Sequence, residues 1–231
     1  MTISKNLREI VLDTETTGLS HVNGDRIVDV ACVELINHIP TGNTYQVYIN
    51  PEREMQQEAV AISGITNKFL VGKPLFHEIV DDFLEFIQDS ALVIHNAKFD
   101  IGFLNSEMAR LDKPQFSMKN TIDTLEMARK KFPGSPASLD ALCKRFEIDT
   151  SARTKHGALI DCFLLAEVYI NLLGGRQSDL SFHNDNPAAG ALAGVKKTKA
   201  RHVKRYFAVS ENEKTSHEEF LKTIHNPIWK Q

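Results

Sequence analysis

Three stretches of strand character open the chain, and only after residue 77 do helices alternate with a further strand. No other feature narrows the fold as far. Residues 8–13 (REIVLD) read as a strand. Residues 26–36 are β-branched and apolar enough for a second, and residues 43–50 (NTYQVYIN) alternate like a third. Residues 77–88 place Ile79, Val80, Phe83, Leu84 and Ile87 on one helical stripe. A short buried strand follows at 91–94, then helical periodicity over about 100–111. Ser138 is the expected N-cap of a helix through Phe146. A long helix over about 157–173 stops at Gly174-Gly175. Strands first, then alternation, predict a mixed central sheet flanked by helices on both sides, an α/β fold.

After Gly175 the pattern fails, and the charge changes sign with it. Residues 1–175 hold 24 acidic and 17 basic side chains, whereas residues 176–231 hold 6 acidic and 10 basic, which together give the net charge of −3. An acidic body does not suit a reader of duplex DNA, which presents a basic face. It suits a body that gathers carboxylates for hard metal ions. The three cysteines are odd in number and lack C-x-x-C spacing, which argues against a disulfide framework or zinc ribbon and fits a reducing cytosol. No apolar run is long enough for a bilayer span, and residues 1–8 hold no signal core, so a cytoplasmic location is expected.

Three motifs concentrate the chemistry. Asp13 and Glu15, two apart at a strand end, leave the same face, and their charges repel unless a cation or proton lies between them. Gly18 then permits a tight turn and the close approach of a ligand. Asp100 follows the buried strand in the segment HNAKFD, in the first turn of a helix. His156 precedes the last long helix, and Asp161 lies more than a turn inside it. Taken singly, each reads as well as a cap or a solvated acid.

Together, in this order and at these element boundaries, the motifs resemble the DEDD superfamily of 3′→5′ exonucleases, in the variant that carries a His. Within it the chain is similar to the proofreading epsilon-subunit family of bacterial DNA polymerase III. The closer likeness rests on IVLDTETTG, VIHN, FDIGF, SLDALC, Arg153-Thr154 and HGAL. The resemblance implies a ribonuclease H-like sheet and two Mg²⁺ or Mn²⁺ ions held by Asp13, Glu15, Asp100 and Asp161. It implies His156 as general base and nucleoside 5′-monophosphates as products, released from a DNA 3′ end that is single-stranded or frayed. It places Thr14, Thr16, Leu19, Asn96 and Phe99 beside the terminal nucleotide and Glu58 on its sugar, with Ser63 where the family pattern usually has His. Leu19 and Phe99 could equally be core, and Glu58 a solvated acid. Asp123 reads as a helix cap rather than a fifth ligand.

The tail reads as an adaptor. Gln177, Leu180 and Phe182 fit a Q-x-x-L-x-F sliding-clamp peptide over residues 176–182. Residues 183–200 form an aperiodic linker. Residues 201–231 carry Tyr206, Phe207, a Ser216–Glu219 capping box, Phe220, Leu221 and the single Trp229. By the resemblance this last segment binds the polymerase alpha subunit, and a theta-like small subunit binds the body, residues 1–175. Two alternatives stay open: an exoribonuclease of the same superfamily, and a mainly structural polymerase–clamp adaptor.

Overall fold

The computed structural model describes residues 7–151, 153, 155–175 and 209–223. Its centre is β1 (Arg8–Thr16), apolar on both faces over Ile10, Val11 and Leu12 because both faces are covered. Antiparallel β2 (Ile27–Ile36) lies beside it and β3 (Ile39–Tyr48) beyond; parallel β4 (Ala91–Ile94) and β5 (Thr121–Asp123) extend the other side, in the order β3-β2-β1-β4-β5. The expected mixed sheet is therefore present.

Side-chain alternation along β1 decides which layer each residue joins. Ile10 and Leu12 pack with α3 (Phe76–Ile87) and α4 (Ala97–Arg110). Val11 packs on the opposite face with α7 (Ala158–Leu173). Helices α5 (Thr124–Lys131) and α6 (Leu139–Arg145) close a smaller cluster against the outer side of α7. Two short helices, α1 (Gln57–Ser63) and α2 (Asn67–Leu70), carry the chain from β3 to α3. Arg26 and Glu107 lock the start of β2 to α4 by a two-pronged pair, 2.6 and 2.7 Å, with Glu107 buried. Cys32, Cys143 and Cys162 are buried free thiols. No helix among the described residues is long and apolar enough to cross a membrane.

Several boundaries differ from expectation for local reasons. β1 runs on to Thr16, because β2 pairs with it until a register shift between Glu15 and Thr16. β3 begins at Ile39 rather than 43, because Asn37 and His38 both take positive φ (51° and 65°) and close a tight hairpin without the usual glycine. Asp161 sits in the first turn of α7, not beyond it. Gly18 does not take a left-handed φ; a Cβ there would fall within 2.5 Å of the Asp25 and Gln56 side chains. Its lack of a side chain thus makes room for the chain's own Asp25 and Gln56, and Gly18 also lines a cavity beside Glu15 and Leu19.

The chain divides into two compact units, residues 1–180 and 181–231. In the second, α8 (Glu211–Lys222) starts earlier than expected: Ser210 and Glu213 form the capping box, so Ser216 and Glu219 lie inside the helix. An S-x-x-E spacing occurs at both places, and it is the earlier pair that closes the box: the Ser210 hydroxyl accepts from the Glu213 N–H, and Glu213 accepts from the Ser210 N–H. Phe220 is exposed and Leu221 half-buried. Gln177, Leu180, Phe182, the 183–200 linker, Tyr206, Phe207 and Trp229 lie outside the described residues.

Candidate active site

Asp13 and Glu15 alternate onto the face of β1 that α7 covers, and the first turn of α7 delivers Asp161 to the same place. Carboxylate oxygens of these three residues lie within 4.8 Å of one another. Asp100, in the first turn of α4, comes from the other face and is pinned there. Its Oδ1 accepts hydrogen bonds from the Thr14 backbone N–H (3.1 Å) and hydroxyl (2.7 Å). A fifth acid, Asp29, stands opposite Glu15 across the β1–β2 pairing, buried and held by Gln46.

Crowded like charges in a low-dielectric cleft hold protons. Burial, then the charges of Asp100, Glu15 and Asp161, push the Asp13 carboxyl well above the carboxylate range. Burial, then Asp161 and Asp29, push Glu15 to about 8. Burial pushes Asp100 to about 7 against the pull of its Thr14 bonds, and Asp29 likewise to about 7. Such a site is short of positive charge. It fits a hard divalent cation: its donors are all carboxylates, and Asp161 Oδ1 is buried without a hydrogen-bond partner.

The positive charge nearest to hand is Arg153. Its Nε stands 2.6 Å from Asp161 Oδ1, an ion pair without hydrogen-bond alignment, and its Nη2 donates to Asp161 Oδ2 at 2.7 Å. The same Nη2 lies 2.8 Å from His156 Nδ1, and Nη1 pairs with Asp140. A guanidinium only donates, so Nδ1 faces it as an acceptor. His156 Nδ1 is also 3.4 Å from Asp161 Oδ2, so His and Asp do converge as their spacing suggested.

The clustered carboxylates are shared between two cavities. One, of about 410 Å³, is lined by Thr14, Glu15, Thr16, Leu19, Glu58 and Phe99, with Gln56 and Ile62 at its wall. Leu19 is 83% exposed, so it is a rim residue and not core. The other, of about 560 Å³, runs past Asp13, Asp161 and His156 to His95, Asn96, Arg129 and Asp140. Asn96 thus lies in the second cavity, apart from the other expected nucleotide contacts. Ser63 lines neither: its hydroxyl donates to Ala59 O and accepts from Ile65 N–H, finishing α1.

Asp123 does cap α5, accepting from the N–H groups of Leu125 and Glu126. It also accepts from Asn96 and Ala97, which fixes the β4–α4 turn where Asn96 takes a left-handed φ of 68°. This explains why α4 starts at Ala97, before the expected residue 100. Sequence reasoning passed over Arg153, Asp140 and Asp29. The first two stood in motif flanks; Asp29 is a lone acid within a β-branched run, the only signal it offers.

Residues 10–169 match the family described as "Exonuclease" (RNase_T). A DNA polymerase III subunit epsilon from Rickettsia conorii is 51% identical over 223 residues, spanning 95% of this chain and 97% of that one. Among solved structures, exonuclease X in complex with 5′ overhanging duplex DNA aligns with a TM-score of 0.54 at 27% identity, covering 71% of this chain and 90% of that one. The nuclease domain of 3′hExo, a DEDDh family member bound to rAMP, aligns with a TM-score of 0.62 at 18% identity over 74% of this chain and 93% of that one. The latter shares the ribonuclease H-like fold.

Proposed function

The chain belongs to the epsilon-subunit family of DNA polymerase III exonucleases, and from that premise we propose that it removes mismatched 3′-terminal nucleotides from DNA as nucleoside 5′-monophosphates. The observation that carries the reading is the meeting of Asp13, Glu15 and Asp161 between two cavities. Asp13, Glu15, Asp100 and Asp161 would hold two Mg²⁺ or Mn²⁺ ions. When bound, such ions polarise the scissile phosphate and make the attacking water more acidic.

The chain's own groups do the rest. The cavity of Thr14, Thr16, Leu19, Glu58 and Phe99 receives the terminal nucleoside: Leu19 and Phe99 give the base apolar surface, and Glu58 is placed to accept from the sugar. This demands an unpaired terminus, and unpairing costs least at a mismatch. Thr14 fixes the Asp100 carboxylate from behind, so that residue needs little reorganisation to act. His156 takes the water's proton as general base. In this arrangement its Nδ1 is engaged by Arg153. Proton uptake at that nitrogen therefore requires Nδ1 to be released.

Beyond the nuclease body, residues 176–182 dock on the sliding clamp through Gln177, Leu180 and Phe182. Residues 201–231 engage the polymerase alpha subunit, with Phe220 on α8 as an available anchor at 61% exposure. A theta-like small subunit is a further partner, and the complex works in the cytoplasm.

DNA and RNA single strands of one sequence, offered at equal concentration with Mg²⁺, test the substrate class. DNA is degraded faster from its 3′ end. A clear preference for RNA would transfer the protein to the exoribonucleases of the same superfamily.

A further inference from the structure

A single guanidinium touches both a metal-ligand carboxylate and the base. Arg153 covers Oδ1 and Oδ2 of Asp161 at 2.6 and 2.7 Å and the Nδ1 of His156 at 2.8 Å. Its side chain is only 7% exposed. Burial alone would lower its pKa, but pairing with Asp161 and Asp140 holds it above the ordinary value, so the charge is fixed. In this position it does what a metal ion would do for Asp161: it offsets the repulsion of neighbouring acids.

Arg153 and a divalent ion cannot both take Asp161 in this way. Both of its oxygens already face guanidinium nitrogens, and a second cation at ligand distance would sit against the first. The contact is also imperfect. Arg153 Nε and Asp161 Oδ1 are buried yet make no aligned hydrogen bond. Asp140, by contrast, is 65% exposed at the cavity wall, and Arg153 already reaches it through Nη1. A place to retreat to is therefore part of the site.

We propose that Arg153 is the resident cation of the active site: it holds Asp161 until a divalent ion takes that carboxylate, then withdraws onto Asp140 and in the same movement frees His156 Nδ1. Metal entry and exposure of the base are thereby one event. Arg153 is on this view a positioning residue, acting through Asp161 and His156 rather than on the phosphate. The inference rests on the metal-ion reading above.

The test is Mn²⁺ binding to the full chain without substrate, followed by the electron paramagnetic resonance signal of free Mn²⁺. R153Q removes the competitor and binds Mn²⁺ roughly tenfold more tightly, the usual worth of one charge-assisted contact. D140N removes the retreat and binds more weakly than wild type, and the double variant behaves like R153Q. ¹⁵N spectra of the imidazoles give a second readout. His156 is the Nε2–H tautomer with an engaged Nδ1 in metal-free wild type, and that signature disappears in R153Q and on adding Mg²⁺. R153Q binding Mn²⁺ no more tightly than wild type, with an unchanged thermal midpoint, overturns the proposal. So does a His156 signature indifferent to Mg²⁺. Should R153Q fail to fold, the exposed D140N site carries the test alone, and unweakened binding there refutes the proposal. If the D13A/E15A variant binds Mn²⁺ as wild type does, the metal-ion reading itself falls, and this inference with it.

Discussion

Replacing Glu15 with Gln should stabilise the metal-free protein. The Glu15 carboxyl is pushed from an ordinary 4.5 to about 8, chiefly by burial and then by Asp161 and Asp29. An acid with a raised folded-state pKa takes up a proton on folding. Its penalty is absent below about pH 4.5, grows as the pH rises, and is complete near pH 8. At pH 7.5, three pH units above 4.5, the penalty is about 4 kcal/mol at about 1.4 kcal/mol per unit. The Gln amide brings a desolvation cost of its own, so a net gain of about 2 kcal/mol is expected. For a domain of this size that is about 4–8 °C in Tm. The assay is thermal unfolding of wild type and E15Q in EDTA from pH 5 to 8. Wild type loses stability across that window, and E15Q loses less, so the curves diverge with pH. Adding Mg²⁺ reverses the order, because binding to the native state stabilises wild type by mass action. A neutral or destabilising E15Q at pH 7.5 in EDTA, or parallel pH curves, would refute the reasoning.

Three further outcomes are expected. D123A loses an acceptor shared by four backbone N–H groups and costs about 2–4 kcal/mol in urea unfolding; a cost under about 0.5 kcal/mol would reduce Asp123 to an ordinary surface acid. R26M leaves the buried Glu107 unpaired and costs about 3–5 kcal/mol by the same measurement. A chain ending at residue 175 keeps its nuclease rate on single-stranded DNA but no longer binds polymerase or clamp in surface plasmon resonance; retained polymerase binding would contradict the tail assignment.

Much of the site is written in local sequence. Asp13 and Glu15 are readable because a strand period of two puts them on one face, and β1 does end with them there. Asp100 is readable as an acid at a helix start, and Asp161 as an acid on the last long helix, though one placed deeper in it than it lies. Local reading stops where tertiary geometry decides. Arg153 lies 8 residues from Asp161 and 13 from Asp140, and only the packing of α6 and α7 brings those two acids to one guanidinium. The double role of Asp123 is hidden likewise, since its second set of donors comes from the β4–α4 turn. The β2–β3 hairpin escaped because Asn37 and His38 adopt positive φ without a glycine to announce it. The α8 cap is not legible in the pattern, because two S-x-x-E spacings compete within one segment and pattern alone does not rank them.

The central claim is that the carboxylates at the end of β1 hydrolyse DNA from its 3′ end. It is tested most directly with the full chain, Mg²⁺ and a primer whose 3′ nucleotide is mismatched, following released nucleoside 5′-monophosphate. Wild type releases the mismatched nucleotide first and faster than a paired one, and D13A/E15A releases none above background. Equal release by wild type and D13A/E15A would contradict the claim.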